Sequence, residues 1–241
     1  MEDLAAVVAV LVAAEPREDG KMKNRKKTMA TTFFSPAEQE KIRNAVQNAE
    51  RKTSGELVPM LVSESHSYPL AAVRGGALVA LILSILLTET VAGMFWRHGS
   101  DMWIFLGLFF PMYWIANIMI SNNPVLKRPF LFNDEIETEV QNAAFAAFFR
   151  ERLYKTRDEN GILIYISLLE RRAWILADSG INERIEPGKW DAALQLITSG
   201  IKEGRACDSL CHSIEMIGDI LEKEFPVRDD DTNELHDLII H

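Results

Sequence analysis

The sequence predicts an α/β fold into which a pair of membrane-length helices is inserted. Three features carry that reading. Helix and strand patterns occur on both sides of residues 69–122, and that middle stretch holds two apolar runs without charge. After it, two strand patterns are separated only by Glu170 and Arg171, a link short enough to make them an antiparallel pair.

Residues 1–32 read as a leader. Its apolar run, residues 4–14, is too short to span a bilayer, and Glu2 and Asp3 stand where a secretory signal carries positive charge. Met22 and Met29 offer alternative starts, so the leader is expected to be either disordered or foreign to the native protein. Ser35 is then placed to cap a helix, with Pro36 at its first position and Glu38 as capping-box partner. Ile42, Ala45, Val46 and Ala49 form its apolar stripe, and Thr53-Ser54-Gly55 ends it. The run ELVPMLV, residues 56–62, has the apolar density of a strand buried on both faces. Pro59 cannot donate to a ladder, which calls for an edge or a bulge there.

The two uncharged runs are GGALVALILSILL, residues 75–87, and MWIFLGLFFPMYWIANIMI, residues 102–120. Arg74, Trp96 and Trp103 are expected at headgroup depth, where a long cation or an amphipathic ring meets both water and lipid. Gly75, Gly76 and Gly107 would let the helices approach closely, and Pro111 would kink the second. Arg74, Lys127 and Arg128 flank the pair, against Arg97 in its connection. This bias predicts a multi-pass protein with its soluble part in the cytoplasm and the lipid bilayer as one partner.

Residues 134–154 then read as a helix, 162–169 and 172–177 as strands, and 190–201 and 209–225 as further helices. Neither flank has enough partners to bury its faces alone. Residues 33–68 and 123–226 are therefore expected to fold together as one discontinuous domain, with 69–122 as a transmembrane hairpin. The acidic tail, residues 227–241, reads as a flexible link followed by a short docking segment.

Composition narrows the function. A formal charge of -9 argues against nucleic acid as a partner, because phosphate neutralisation needs a basic face. Cys207 and Cys211 are spaced for successive turns of a helix, and His212 points about 100° away around it, which favours a buried helix over a zinc site. No phosphate-cradling glycine loop, cysteine phosphate loop or familiar His-Asp metal spacing occurs, so a non-catalytic role is preferred.

The order of TSGELVPMLV, GILIYISLLERRAWILADSGI, IKEGRACDSLCHSIEMIGDILEKEFP and TNEL resembles the TPM-domain family, within it a bacterial membrane-anchored branch. The resemblance covers Phe33 to about Leu238 apart from the membrane hairpin. It implies a three-layer α/β/α sandwich, residence in the bacterial inner membrane, calcium binding in some members, and acid phosphatase activity in a few. It also directs attention to Asp158, Glu159 and Asn160 before Gly161, and to Asp178-Ser179-Gly180 after the third strand. These ends are neighbours in an antiparallel pair. Asp158, Glu159 and Asp178, joined by Glu183, are thus candidate ligands for calcium or another small cation, while a turn-capping role explains the same residues without one. Glu170 belongs to the far turn. The function implied is a membrane-held module binding a metal or another membrane or cytoplasmic protein, with a calcium-influenced acid phosphatase as the alternative.

Overall fold

A computed structural model describes residues 30–95, 101–186, 188–227, 235 and 237–240. The chain divides into two compact units, Met1–His66 with Glu137–His241, and Ser67–Ile136.

The first unit is a mixed α/β fold. Helix α1, Pro36–Glu50, begins where the capping box places it: the Ser35 hydroxyl accepts the Glu38 N–H at 3.3 Å, and the Glu38 carboxylate accepts the Ser35 N–H at 2.8 Å. Strand β1, Glu56–Val62, pairs in parallel with β2, Gly161–Ser167, and β2 pairs antiparallel with β3, Arg172–Ala177. A two-residue strand β4, Ile239–Ile240, docks in parallel on Met60 and Leu61, so the sheet order is β3-β2-β1-β4.

One expectation about the strands is met in its edge form, and another changes. The parallel register passes unbroken through Pro59↔Ile164. No bulge is needed, because β4 begins to pair only at Met60 and, among the described residues, no strand pairs with that side of β1 at Pro59. The second strand ends at Ser167 and not at residue 169. The Leu168 and Leu169 N–H groups donate to the Val62 and Ser63 carbonyls at 3.1 and 3.0 Å, which bends the chain over the end of β1. The turn therefore includes Leu168 and Leu169 as well as Glu170 and Arg171, and Arg171 closes it with a left-handed φ of 51°.

Both β1 and β2 are buried throughout. On one face Leu57, Leu61, Ile162, Ile164 and Ile166 share a core with Ile42 and Val46 of α1. Helices α7, Asp191–Glu203, and α8, Ala206–Glu224, complete it with Ile197, Leu210, Ile214, Ile217 and Leu221. Each such side chain contributes roughly 1.5–3 kcal/mol on burial. On the other face Val58, Met60, Leu163 and Tyr165 are also buried. Helix α5, Asn133–Arg150, buries Val140, Ala144, Ala147 and Phe148 along one stripe. It stops short of the expected residue 154 because Arg152 turns left-handed, φ 59°, and a separate 3-10 turn, Leu153–Lys155, follows.

The second unit holds α2, Pro69–Phe95, and α3, Asp101–Asn122, followed by the short α4, Pro124–Lys127. Ala72, Gly76, Ala80 and Ser84 recur every fourth residue of α2 and are buried. A Cβ on Gly76 would stand 3.2 Å from the Asn117 backbone of α3, so the small stripe is what lets the helices meet closely. Gly75 is packed against Phe130 and Ile120, whereas Gly107 meets nothing and does not serve the contact expected of it. Leucine, isoleucine, phenylalanine and tryptophan side chains cover the outward faces, among them Leu78, Ile82, Leu86, Phe110 and Trp114. Residues Pro69–Val91 and Met102–Asn122 are long and apolar enough to cross a membrane.

Candidate functional site

The loop before β2 is organised by Thr156, whose carbonyl accepts the Glu159 N–H at 3.3 Å and whose hydroxyl accepts the Asn160 N–H at 3.0 Å. Glu159 takes a left-handed φ of 52° inside that turn. The tight reversal carries the Asp158 and Glu159 carbonyl oxygens to within 2.9 and 2.8 Å of where a Gly180 Cβ would stand. Gly180 is required there by close approach. Across the sheet end the Asp178 N–H donates to the Gly161 carbonyl at 2.9 Å, extending the β2–β3 ladder by one residue.

Asp178 then caps the short α6, Ser179–Asn182, its Oδ1 accepting the Ser179 N–H at 2.7 Å. The Ser179 hydroxyl donates to Glu159 Oε2 at 2.7 Å and lies 3.3 Å from Asp178 Oδ1. One hydroxyl thus sits between two carboxylates. Asp178 Oδ2 is buried and has no hydrogen-bond partner. A carboxyl oxygen removed from water without a partner is costly, and a cation is one partner that would offset it.

Of the predicted ligands, Glu159 and Asp178 come together. Asp158 is exposed and contributes proximity through its main-chain carbonyl, and Glu183 is exposed at the end of α6. Among the described residues, no group of three or more His, Cys, Asp and Glu side chains is arranged to hold a metal ion. Of the expected set of Asp158, Glu159 and Asp178, the Ser179 hydroxyl joins Glu159 and Asp178, with the Asp158 and Glu159 main-chain carbonyls beside Gly180. The left-handed turn at Glu159 goes with that approach of the two carbonyls to Gly180.

Sequence reasoning named Ser179 and Asn160 but missed their roles, Ser179 as the bridge and Asn160 as the buried amide that donates to the Ser54 carbonyl and ties the loop to the start of β1. It also missed what Glu170 does at the opposite end. Glu170 is only 4% exposed; its carboxylate accepts the Ser65 N–H at 2.9 Å and the Ser167 hydroxyl. The Tyr165 hydroxyl donates to Ser65 Oγ at 3.4 Å, and burial pushes its pKa far above the usual phenol value.

Of the membrane-interface candidates, Arg74 pairs with Glu135 at 2.9 Å and lies over the Phe132 ring at 4.6 Å. Trp103 is exposed, and Trp96 lies outside the described residues. Cys207 and Cys211 are buried on α8, while His212 is exposed beside Glu215. Burial pushes both thiols up, that of Cys211 to about 12, which keeps them protonated near neutral pH.

No protein-family profile matches the chain, and no curated protein matches it. Among solved structures it is similar to the NMR structure of BA42 protein from the psychrophilic bacterium Bizionia argentinensis, with a TM-score of 0.51 and 20% identity over 86% of this chain and 94% of that one. That likeness is one of fold, a mixed α/β architecture.

Proposed function

We propose that this chain is a membrane-held module of the TPM-domain kind, a three-layer α/β/α sandwich that binds a hard divalent cation of the calcium class at the Gly161 end of its sheet. Helices α2 and α3 form its transmembrane hairpin in a bacterial inner membrane. The α/β part lies in the cytoplasm, where the flanking Arg74, Lys127 and Arg128 favour it. It presents the site to another membrane or cytoplasmic protein.

The observation that carries the cation reading is the buried, unpartnered Asp178 Oδ2 beside the Glu159–Ser179 bridge. Oxygen ligands of mixed origin, carboxylate, hydroxyl and carbonyl, are what a calcium ion accepts. Calcium at ten times its dissociation constant is expected to stabilise the full chain in detergent by about 1.4 kcal/mol, read as a rise in the melting temperature. Asp178→Asn retains a good helix cap but removes the charge, so it should abolish that rise with little change in the calcium-free melting temperature. Equal stabilisation of wild type and Asp178→Asn, or none of either at millimolar calcium, would contradict the assignment.

A further inference from the structure

Strand β3 forms one edge of the sheet, and among the described residues no strand pairs with its outer side. The antiparallel ladder fixes which backbone groups face outward. Because the Asp178 N–H donates to the Gly161 carbonyl, Asp178, Leu176, Trp174 and Arg172 turn their backbone groups toward β2, and Ala173, Ile175 and Ala177 turn theirs away. Asn182 agrees with that phase, its amide donating to the outward Ala177 carbonyl at 2.7 Å.

Exposed edges are ordinarily blunted by charge, proline or a bulge. Residues 173–177, AWILA, contain none of these. Charge instead sits at the two ends, Arg171 and Arg172 before the segment and Asp178 after it. A strand positive at one end and negative at the other matches a second copy of itself when the copies run antiparallel. Parallel pairing would set like charges side by side.

We propose that β3 is the contact through which two copies of this chain associate, pairing antiparallel about a two-fold axis at Ile175 to make one continuous sheet. In this register Ile175 exchanges both backbone hydrogen bonds with the partner's Ile175, and Ala173 faces the partner's Ala177. Trp174 faces the partner's Leu176, and Arg172 faces the partner's Asp178. The outward groups are in phase for all these bonds. The Ala177 carbonyl exchanges the Asn182 amide for the N–H of the partner's Ala173, so no acceptor is left unpaired. The contact is isologous and closes at two copies.

Sedimentation velocity of the full chain in detergent tests this. A concentration-dependent dimer is expected, and Arg172→Glu, which sets like charges together at both ends, should weaken it about tenfold. Register is read separately by disulfide crosslinking in a background with Cys207→Ala and Cys211→Ala. Trp174→Cys mixed with Leu176→Cys should crosslink under oxidant, and neither variant should do so alone, because facing residues at such a pair have Cα atoms about 4.5 Å apart. If the cysteine variants melt early, the half-buried Arg172→Glu still decides. A monomer at every concentration, or a dimer insensitive to Arg172→Glu that crosslinks in neither single variant nor mixture, overturns the proposal.

Discussion

Gly161→Ala is expected to destabilise the α/β unit by about 3 kcal/mol or more, because the added methyl has no space and its obstacle cannot yield. Its Cβ would stand 2.5 Å from the Leu153 carbonyl oxygen and 3.3 Å from the carbonyl carbon. Leu153 is itself fully buried, and β2 is held by ladders on both sides, so neither backbone can retreat cheaply. Gly161 also receives the Asp178 N–H, and the same shift would displace the proposed cation site. Urea denaturation of wild type and variant measures the stability loss, and the calcium-dependent melting shift reports the site. A Gly161→Ala variant with wild-type stability would mean that the Leu153 carbonyl is not where it is described.

Glu170→Ala is expected to cost about 2–3 kcal/mol while leaving the proposed calcium response intact. The substitution strips the acceptor from the Ser65 N–H and from the fully buried Ser167 hydroxyl, and an unpaired buried donor carries its whole desolvation penalty. Glu170→Gln keeps an acceptor oxygen and should recover about half of the loss. Because Glu170 lies at the far end of β2 from Asp178, thermal melts with and without calcium should separate the two roles. Loss of the calcium response in Glu170→Ala at temperatures where it remains folded would argue that the two sheet ends are not independent.

Much of the fold was legible because local signals and tertiary packing agree. Ser35, Pro36 and Glu38 define the start of α1 by short-range hydrogen bonds that the sequence displays directly. The strand pair was legible from two apolar runs and a short link, yet its turn was not. Whether Leu168 and Leu169 continue the strand depends on the Val62 and Ser63 carbonyls, more than a hundred residues away in sequence. Glu170 could be placed in the far turn but its burial could not be read, for the same reason, since its carboxylate is held by the distant Ser65 N–H.

The candidate site was half legible. The antiparallel geometry brings the Gly161 loop to Asp178, as the short link between the strands implied. The Glu159 carboxylate meets Ser179 from a turn in which Glu159 itself is left-handed, and glutamate gives no sequence signal for that conformation. Ser179 was hidden in the same way, because a serine after a capping aspartate is unremarkable until the Glu159 carboxylate is known to face it.

The proposed membrane attachment of this chain is open to one direct measurement, alkaline carbonate extraction of membranes from cells producing the full chain. Pro69–Val91 and Met102–Asn122 present leucine, isoleucine, phenylalanine and tryptophan outward over lengths that match a bilayer core. The protein should therefore remain in the membrane pellet and enter the supernatant only with detergent. Recovery of the chain in the carbonate supernatant would contradict the account.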